Sequence, residues 1–267
     1  MSDKSQKSDT TKQTVYSRIL KQKNNYRILF TVYCLLLYTV CPMKPEDLKS
    51  PFVWSERHVV IHDRIWYIPA LCDYETFAFP GWDSAEIFGN THPVNIEYCS
   101  GNGAWIAAKA QENPDLNWVA VERKFERVRK IWSKIKNKNL SNLLVVCGEG
   151  HQFTSAFVKE NSIDNIYINF PDPWPKRKHE KHRIIQKPFV AELQRILKPS
   201  GIFTFVTDDA PFSNWTIKIV CANSGFTPCY EKPFYITEYP GYGTSYFEEL
   251  WREKGRLVRY QQYKKMV

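Results

Sequence analysis

The sequence predicts a doubly wound α/β fold, a mostly parallel sheet with helices on both faces. Three observations predict it. From Pro93 onward five short runs of strand length are apolar almost throughout, which suits parallel strands buried on both sides. Between them lie stretches whose apolar residues recur at helical spacing. The two patterns also alternate along the chain, the arrangement that produces crossover units rather than hairpins.

The elements follow in order. "VNIEYC" (94–99) is the first strand, closed by the turn Gly101-Asn102-Gly103. "NWVAVE" (117–122) is the second, and the helix after it places Val128, Ile131, Trp132 and Ile135 on one face. "LLVVC" (143–147) and "IYINF" (166–170) are the third and fourth. Ile185, Phe189, Leu193 and Ile196 mark a second helix face, and Pro199, Ser200 and Gly201 read as its stop signal before the fifth strand, "IFTFVT" (202–207). One domain is expected over 43–267, with an N-terminal arm (43–92), a core (93–230) and a C-terminal segment (231–267).

Residues 1–14 are too polar to bury themselves. Residues 28–41, "ILFTVYCLLLYTVC", follow four cations with the layout of a secretory signal but lack a small-residue cleavage site. Residues 1–42 are therefore expected to be an extension dispensable to the body, and the protein to be cytoplasmic without membrane attachment of that body. The extension carries +5 of the net +9 charge, so the rest carries only +4. Seven cysteines, odd in number and never in a C-x-x-C pair, read as buried thiols in a reducing compartment. No metal site is suggested: His179 and His182 stand among cations that repel a metal ion.

In such a sheet the ligand sits at the carboxyl ends of the strands. Those ends carry Glu97 with Gly101 and Gly103, then Glu122, Glu149, Asp172 and Asp208. The glycines allow close backbone approach, and an acid ending the second strand can accept both ribose hydroxyls. A dinucleotide would need a third glycine where Ile106 stands, and many carboxylates repel a pyrophosphate. S-adenosylmethionine, with its sulfonium, amine and ribose, suits the rim better.

The most distinctive stretch is "NFPDPWPKRKHEKHR" (169–183), where a double-proline loop runs into five Lys or Arg and two His, interrupted only by Glu180. With Glu97 to Gly103, "VAVER" (119–123), "LKPSGIFTFVTDDAPF" (197–212) and "SYFEELWREKG" (245–255), it resembles the bacterial tRNA (guanine-N7)-methyltransferases, from about Met43 to the C-terminus. The resemblance implies a Rossmann-like methyltransferase that moves a methyl group from S-adenosylmethionine to guanine 46 of the tRNA variable loop. It implies that Glu97, Glu122, Glu149 and Asp172 contact the cofactor, and that Lys176, Asp208, Ser245, Tyr246, Phe247 and Glu248 contact the RNA. This chain departs from the family at Cys99, usually glycine, at Glu149, commonly aspartate, and at Ser245, a threonine elsewhere.

The chemistry fits the motif. Guanine N7 carries a lone pair and no proton, so attack on a sulfonium methyl needs positioning and charge, not a base. Asp172 is the expected catalytic carboxylate, favouring movement of positive charge toward the purine. Lys176, Arg177, Lys178, Lys181 and Arg183 are expected to meet phosphates, and Trp174 either stacks on a base or packs the turn. Two other readings compete: an RNA-binding protein that keeps the fold without catalysis, and a methyltransferase for small molecules.

Overall fold

The computed structural model describes residues 42–51, 53, 58–70, 76–243 and 245–266, whose compact unit is Met43–Val267. The reading of the extension as dispensable falls almost wholly on residues outside those described. A nine-stranded mixed sheet runs through the unit. In chain order its strands are β1 (Val60–His62), β2 (Ile65–Tyr67), β3 (Val94–Tyr98), β4 (Asn117–Glu122), β5 (Leu143–Cys147), β6 (Ile163–Asn169), β7 (Leu197–Thr207), β8 (Phe226–Pro228) and β9 (Arg259–Lys265). Across the sheet the order is β1-β2-β5-β4-β3-β6-β7-β9-β8. From β2 to β7 all pairs are parallel; β1 and β9 run against their neighbours.

Among the described residues there are six α-helices: α1 (Ala104–Glu112), α2 (Phe125–Lys138), α3 (Gly150–Phe157), α4 (Lys187–Ile196), α5 (Ala210–Cys221) and α6 (Tyr246–Glu253). The strands are apolar on both sides because both sides are covered. Val119, Val121, Leu144 and Val146 face the layer built with α3, α4 and α5. Their neighbours Trp118, Ala120, Leu143 and Val145 face α1 and α2. The face expected of α2, Val128 with Ile131, Trp132 and Ile135, is the buried one. Phe189, Leu193 and Ile196 are buried on α4, whereas Ile185 is buried just before that helix begins.

The chain lays down β3, β4 and β5 toward one edge, then returns to place β6 on the other side of β3. That reversal opens a crevice at the carboxyl end of β3, the position where open α/β sheets hold ligands.

Two expectations change. Pro199, Ser200 and Gly201 do not separate a helix from a strand, because β7 already begins at Leu197. They form a bulge in it: Ile163 faces Leu197, yet Asn165 faces Ile202, and Ser200 turns through φ 67°. The four cysteines among the described residues are also not fully buried. Cys99, Cys221 and Cys229 are exposed and Cys147 is half-buried, all as free thiols. Cys99 sits in a turn, Cys221 at a helix end and Cys229 beside an edge strand, places where the core does not need them, whereas Cys147 ends β5 and packs against the core.

No helix among the described residues is long and apolar enough to cross a membrane.

Candidate functional site

The parallel register aligns the strand ends. Tyr98 pairs with Val121 and with Ile168, Glu122 with Cys147, and Asn169 with Val206. The loops after β3, β4, β5, β6 and β7 therefore leave the same edge, and the acids sought there share one rim. Their environments differ.

Glu97 lies within β3 at 2% exposure, below the rim rather than on it. Asn169 Nδ2 donates to its Oε1 at 2.8 Å. Its Oε2 is buried with no hydrogen-bond partner among the described residues. The Ser100 hydroxyl, though close by, donates to the Glu97 carbonyl at 2.9 Å. Burial pushes the carboxyl up to about 7, the Glu122 charge adds to the rise, and Asn169 and Ser100 oppose it. Asn169 is itself held by Tyr242, whose hydroxyl donates to Asn169 Oδ1 at 2.6 Å. This chain from Tyr242 through Asn169 to Glu97 is the part of the site that sequence reasoning missed. Its one visible signal was a polar residue ending an otherwise apolar strand.

The turn after β3 is left-handed at every second residue: Cys99, Gly101 and Gly103 have φ of 61°, 57° and 69°. Gly103 could carry no side chain in any case, because a Cβ there would lie 2.6 Å from Ile131 Cγ1 on α2. Its role is to let two helices close together, so the glycine expected to admit a ligand is needed for packing. Glu122 fastens this turn. Its Oε2 accepts the Gly101 amide at 3.0 Å and its Oε1 the Lys124 amide at 2.8 Å, with Arg127 Nη1 3.6 Å away. Glu149 caps α3 by accepting the Gln152 amide at 2.7 Å and remains exposed.

Asp172 is exposed in the loop after β6, accepting the Trp174 amide at 3.2 Å in a local turn. Phe170 and Trp174, which bracket it, have φ of 47° and 44°. A bulky residue in the left-handed region costs about 1–2 kcal/mol, and strain of this kind gathers where geometry serves a site. Trp174 is half-buried, its ring 5.1 Å from that of His182 and 5.7 Å from that of His179. It packs against the basic stretch itself.

Lys176, Arg177, Lys178 and Lys181 are exposed, the last three on a short 3₁₀ turn at Arg177–His182. Arg183 does not belong with them. At 5% exposure its guanidinium donates to the Pro173 carbonyl at 2.8 Å and the Trp174 carbonyl at 3.4 Å. It also pairs with Glu180 at 3.3 Å and lies over the rings of Phe212 and Trp215. It is the internal brace of the double-proline loop, and no phosphate can reach it as expected.

On the other flank Ser245 caps α6, its hydroxyl accepting the Glu248 amide at 3.1 Å. Tyr246 and Phe247 point outward, 55% and 37% exposed. Glu248 is buried: its Oε1 accepts from Tyr260 and from Arg252, while Oε2 has no hydrogen-bond partner among the described residues. Asp208, just after β7, pairs with Arg256.

The arrangement can hold a cation against Glu97, keep acceptors around a glycine turn, and present cations and aromatic rings beside an exposed carboxylate. Known proteins fit this picture. A family model described as "Putative methyltransferase" matches residues 91–259. The tRNA (guanine-N(7)-)-methyltransferase of Chlamydia abortus is 45% identical over 226 residues, 84% of this chain and 99% of the relative. The enzyme of that description from Staphylococcus aureus strain Mu50 is 35% identical over 156 residues, 58% of this chain and 69% of the relative. Among solved structures, the 16S rRNA methyltransferase KamB superposes with a TM-score of 0.51 at 14% identity, covering 67% of this chain and 91% of that one. An antibiotic-related methyltransferase superposes with a TM-score of 0.51 at 22% identity, covering 73% and 98%. At such identities these two speak for the fold alone.

Proposed function

The chain belongs to the tRNA (guanine-N7)-methyltransferase family, and from that premise we propose that it methylates N7 of guanine 46 in the variable loop of tRNA, with S-adenosylmethionine as donor, in the cytoplasm. Glu97 carries the reading. A buried carboxylate oxygen without a hydrogen-bond partner among the described residues, at the strand-order reversal, costs stability until a cation approaches it. The α-ammonium of the donor is such a cation.

The residues present fit that group. Glu97 would hold its amino end, the backbone around Gly101 and Gly103 would flank it, Glu122 would accept ribose hydroxyls, and Glu149 would reach the base. The bound donor supplies the electrophilic sulfonium methyl.

The remaining work belongs to this chain's residues. Target N7 needs no deprotonation, so the site has to orient a lone pair and place charge, which a carboxylate at the mouth can do. Asp172 is that carboxylate. N7 inside a regular RNA helix lies in a groove too deep and narrow for side chains, so the guanine must be presented from a loop. Tyr246 and Phe247 offer rings for stacking exposed bases. Glu248, buried against Tyr260 and Arg252, would hold helix α6 from beneath rather than touch the guanine, with Ser245 capping that helix. Lys176 with Arg177, Lys178 and Lys181 meets backbone phosphates, and Asp208 lies on the same substrate side.

Incubation with an unmodified tRNA transcript and S-adenosylmethionine, followed by mapping of 7-methylguanosine, tests the proposal. Modification at guanine 46 supports it. Cofactor binding without methylation would favour an RNA-binding role, and methylation at another guanine would overturn the assigned position.

A further inference from the structure

Asp208 is a poor RNA contact as it stands, because a carboxylate facing a polyanion repels it. Its surroundings give it different work. Helix α6 ends at Glu253, and Gly255, at φ 69°, turns the chain back. The Gly255 amide donates to the Arg252 carbonyl at 2.9 Å and the Arg256 amide to the Trp251 carbonyl at 2.8 Å, the paired bonds of a left-handed helix stop. That turn folds Arg256 over the helix it has just left. Its guanidinium carbon lies 4.0 Å from the Trp251 ring centroid, and its Nη1 donates to Asp208 Oδ2 at 2.6 Å.

The pair is lopsided. The Asp208 side chain is 11% exposed and that of Arg256 is 51% exposed. The acid is covered and the base looks outward. Lys254 Nζ stands over the same indole, 4.9 Å from its centroid, and α6 also carries the exposed rings of Tyr246 and Phe247. A guanidinium with one edge on a carboxylate and one face on an indole has lost most of its rotamer freedom already. Its remaining N–H groups are set in a planar fork that matches a phosphate.

We propose that Arg256 binds a phosphate of the RNA substrate, and that Asp208 and Trp251 are positioning residues that hold its guanidinium for that contact. The assignment rests on tRNA being the substrate. Against it stands a simple surface ion pair tying α6 to the end of β7, a contact that contributes little to stability.

The test is equilibrium binding of an unmodified tRNA transcript over a series of KCl concentrations, for the full chain and for Arg256→Gln, Arg256→Lys, Asp208→Asn and the Arg256→Gln/Asp208→Asn double variant, with thermal midpoints recorded alongside. Loss of one phosphate contact lowers the slope of log affinity against log salt by about 0.7–0.9, so Arg256→Gln is expected to lose that much and Arg256→Lys to keep it. Asp208→Asn is expected to weaken binding several-fold in the parent chain and not at all in the Arg256→Gln background. An unchanged slope in Arg256→Gln overturns the proposal in favour of the ion pair alone. Equal weakening by Asp208→Asn in both backgrounds overturns it in favour of direct contact by Asp208. A parent chain that binds no tRNA defeats the assignment together with the function it rests on.

Discussion

At the scale of single residues, burial separates side chains that look alike in sequence. Glu97 and Glu149 are both acids near strand ends, yet one is 2% exposed and the other caps a helix in the open. With the Glu97 carboxyl raised to about 7 against a usual value of about 4.3 in an unfolded chain, the folded protein keeps a proton over that interval which the unfolded chain has released. Raising the pH through the interval therefore costs stability, up to about 4 kcal/mol. Thermal midpoints from pH 5 to pH 8 should fall in the parent chain relative to Glu97→Gln, and parallel curves would contradict the burial argument. Because an ammonium favours the charged carboxylate, cofactor affinity should rise through pH 7 in the parent and lose that rise in the variant, as calorimetry can measure. Cys99 offers a second check. Its φ of 61° costs about 1–2 kcal/mol for a residue with a Cβ, part of which glycine returns through the freedom of the unfolded chain. Cys99→Gly should stabilise by up to about 1 kcal/mol in denaturant unfolding, and a loss would mean that the thiol makes contacts worth more than the strain. The acids of the rim were legible as residue types, but which of them is buried depends on neighbours far away in the chain. Asn169 was overlooked for that reason: its partners Glu97 and Tyr242 are 72 and 73 residues distant.

At the scale of elements, the five strands β3 to β7 were readable because helices cover both their faces and make them apolar throughout. The others were not. β1, β2 and β8 have three residues each, too few to establish a period. β9, "RYQQYKK", reads as polar although Tyr260, Gln261 and Tyr263 are buried in it. The Gln261 amide finds its partners on Ser213, donating to its hydroxyl at 2.8 Å and its carbonyl at 3.0 Å, so a polar residue serves a core position. The double-proline loop shows the same limit. Five cations in one stretch are equivalent in sequence, whereas the structure sorts Arg183 from the rest. Arg183→Gln should destabilise by about 2–4 kcal/mol, since the Pro173 and Trp174 carbonyls lose their donor. Arg177→Gln with Lys178→Gln should leave stability within about 0.5 kcal/mol and lower the salt slope of tRNA binding by about 0.7–0.9 for each residue on a phosphate. Denaturant midpoints and binding isotherms separate the two outcomes, and the reverse pattern would mean that brace and ribbon have been misassigned.

At the scale of the whole molecule, a packed sheet begins to be served at Met43, whose amide donates to Asn137 Oδ1 at 2.7 Å and whose carbonyl accepts from Asn137 Nδ2 at 2.9 Å on α2. A chain starting at Met43 should fold, bind cofactor and methylate tRNA as the full chain does, checked by thermal melting and turnover; an inactive short chain beside an active long one would show that residues 1–42 are needed. On the proposed reading the fold as a whole serves one arrangement, a rim that orients a lone pair and a methyl donor without removing a proton. That claim is tested most directly by single-turnover methyl transfer at saturating tRNA and S-adenosylmethionine, for the parent chain and Asp172→Asn, from about pH 6 to 9. Saturation with cofactor keeps the Glu97 titration out of the rate. Loss of one preorganised charge beside the reacting atoms costs on the order of a hundred- to a thousandfold, and with no general base the loss should stay nearly constant across the range. A near-normal rate in the Asn variant, or a rate in the parent that follows the titration of a single group, would contradict the account.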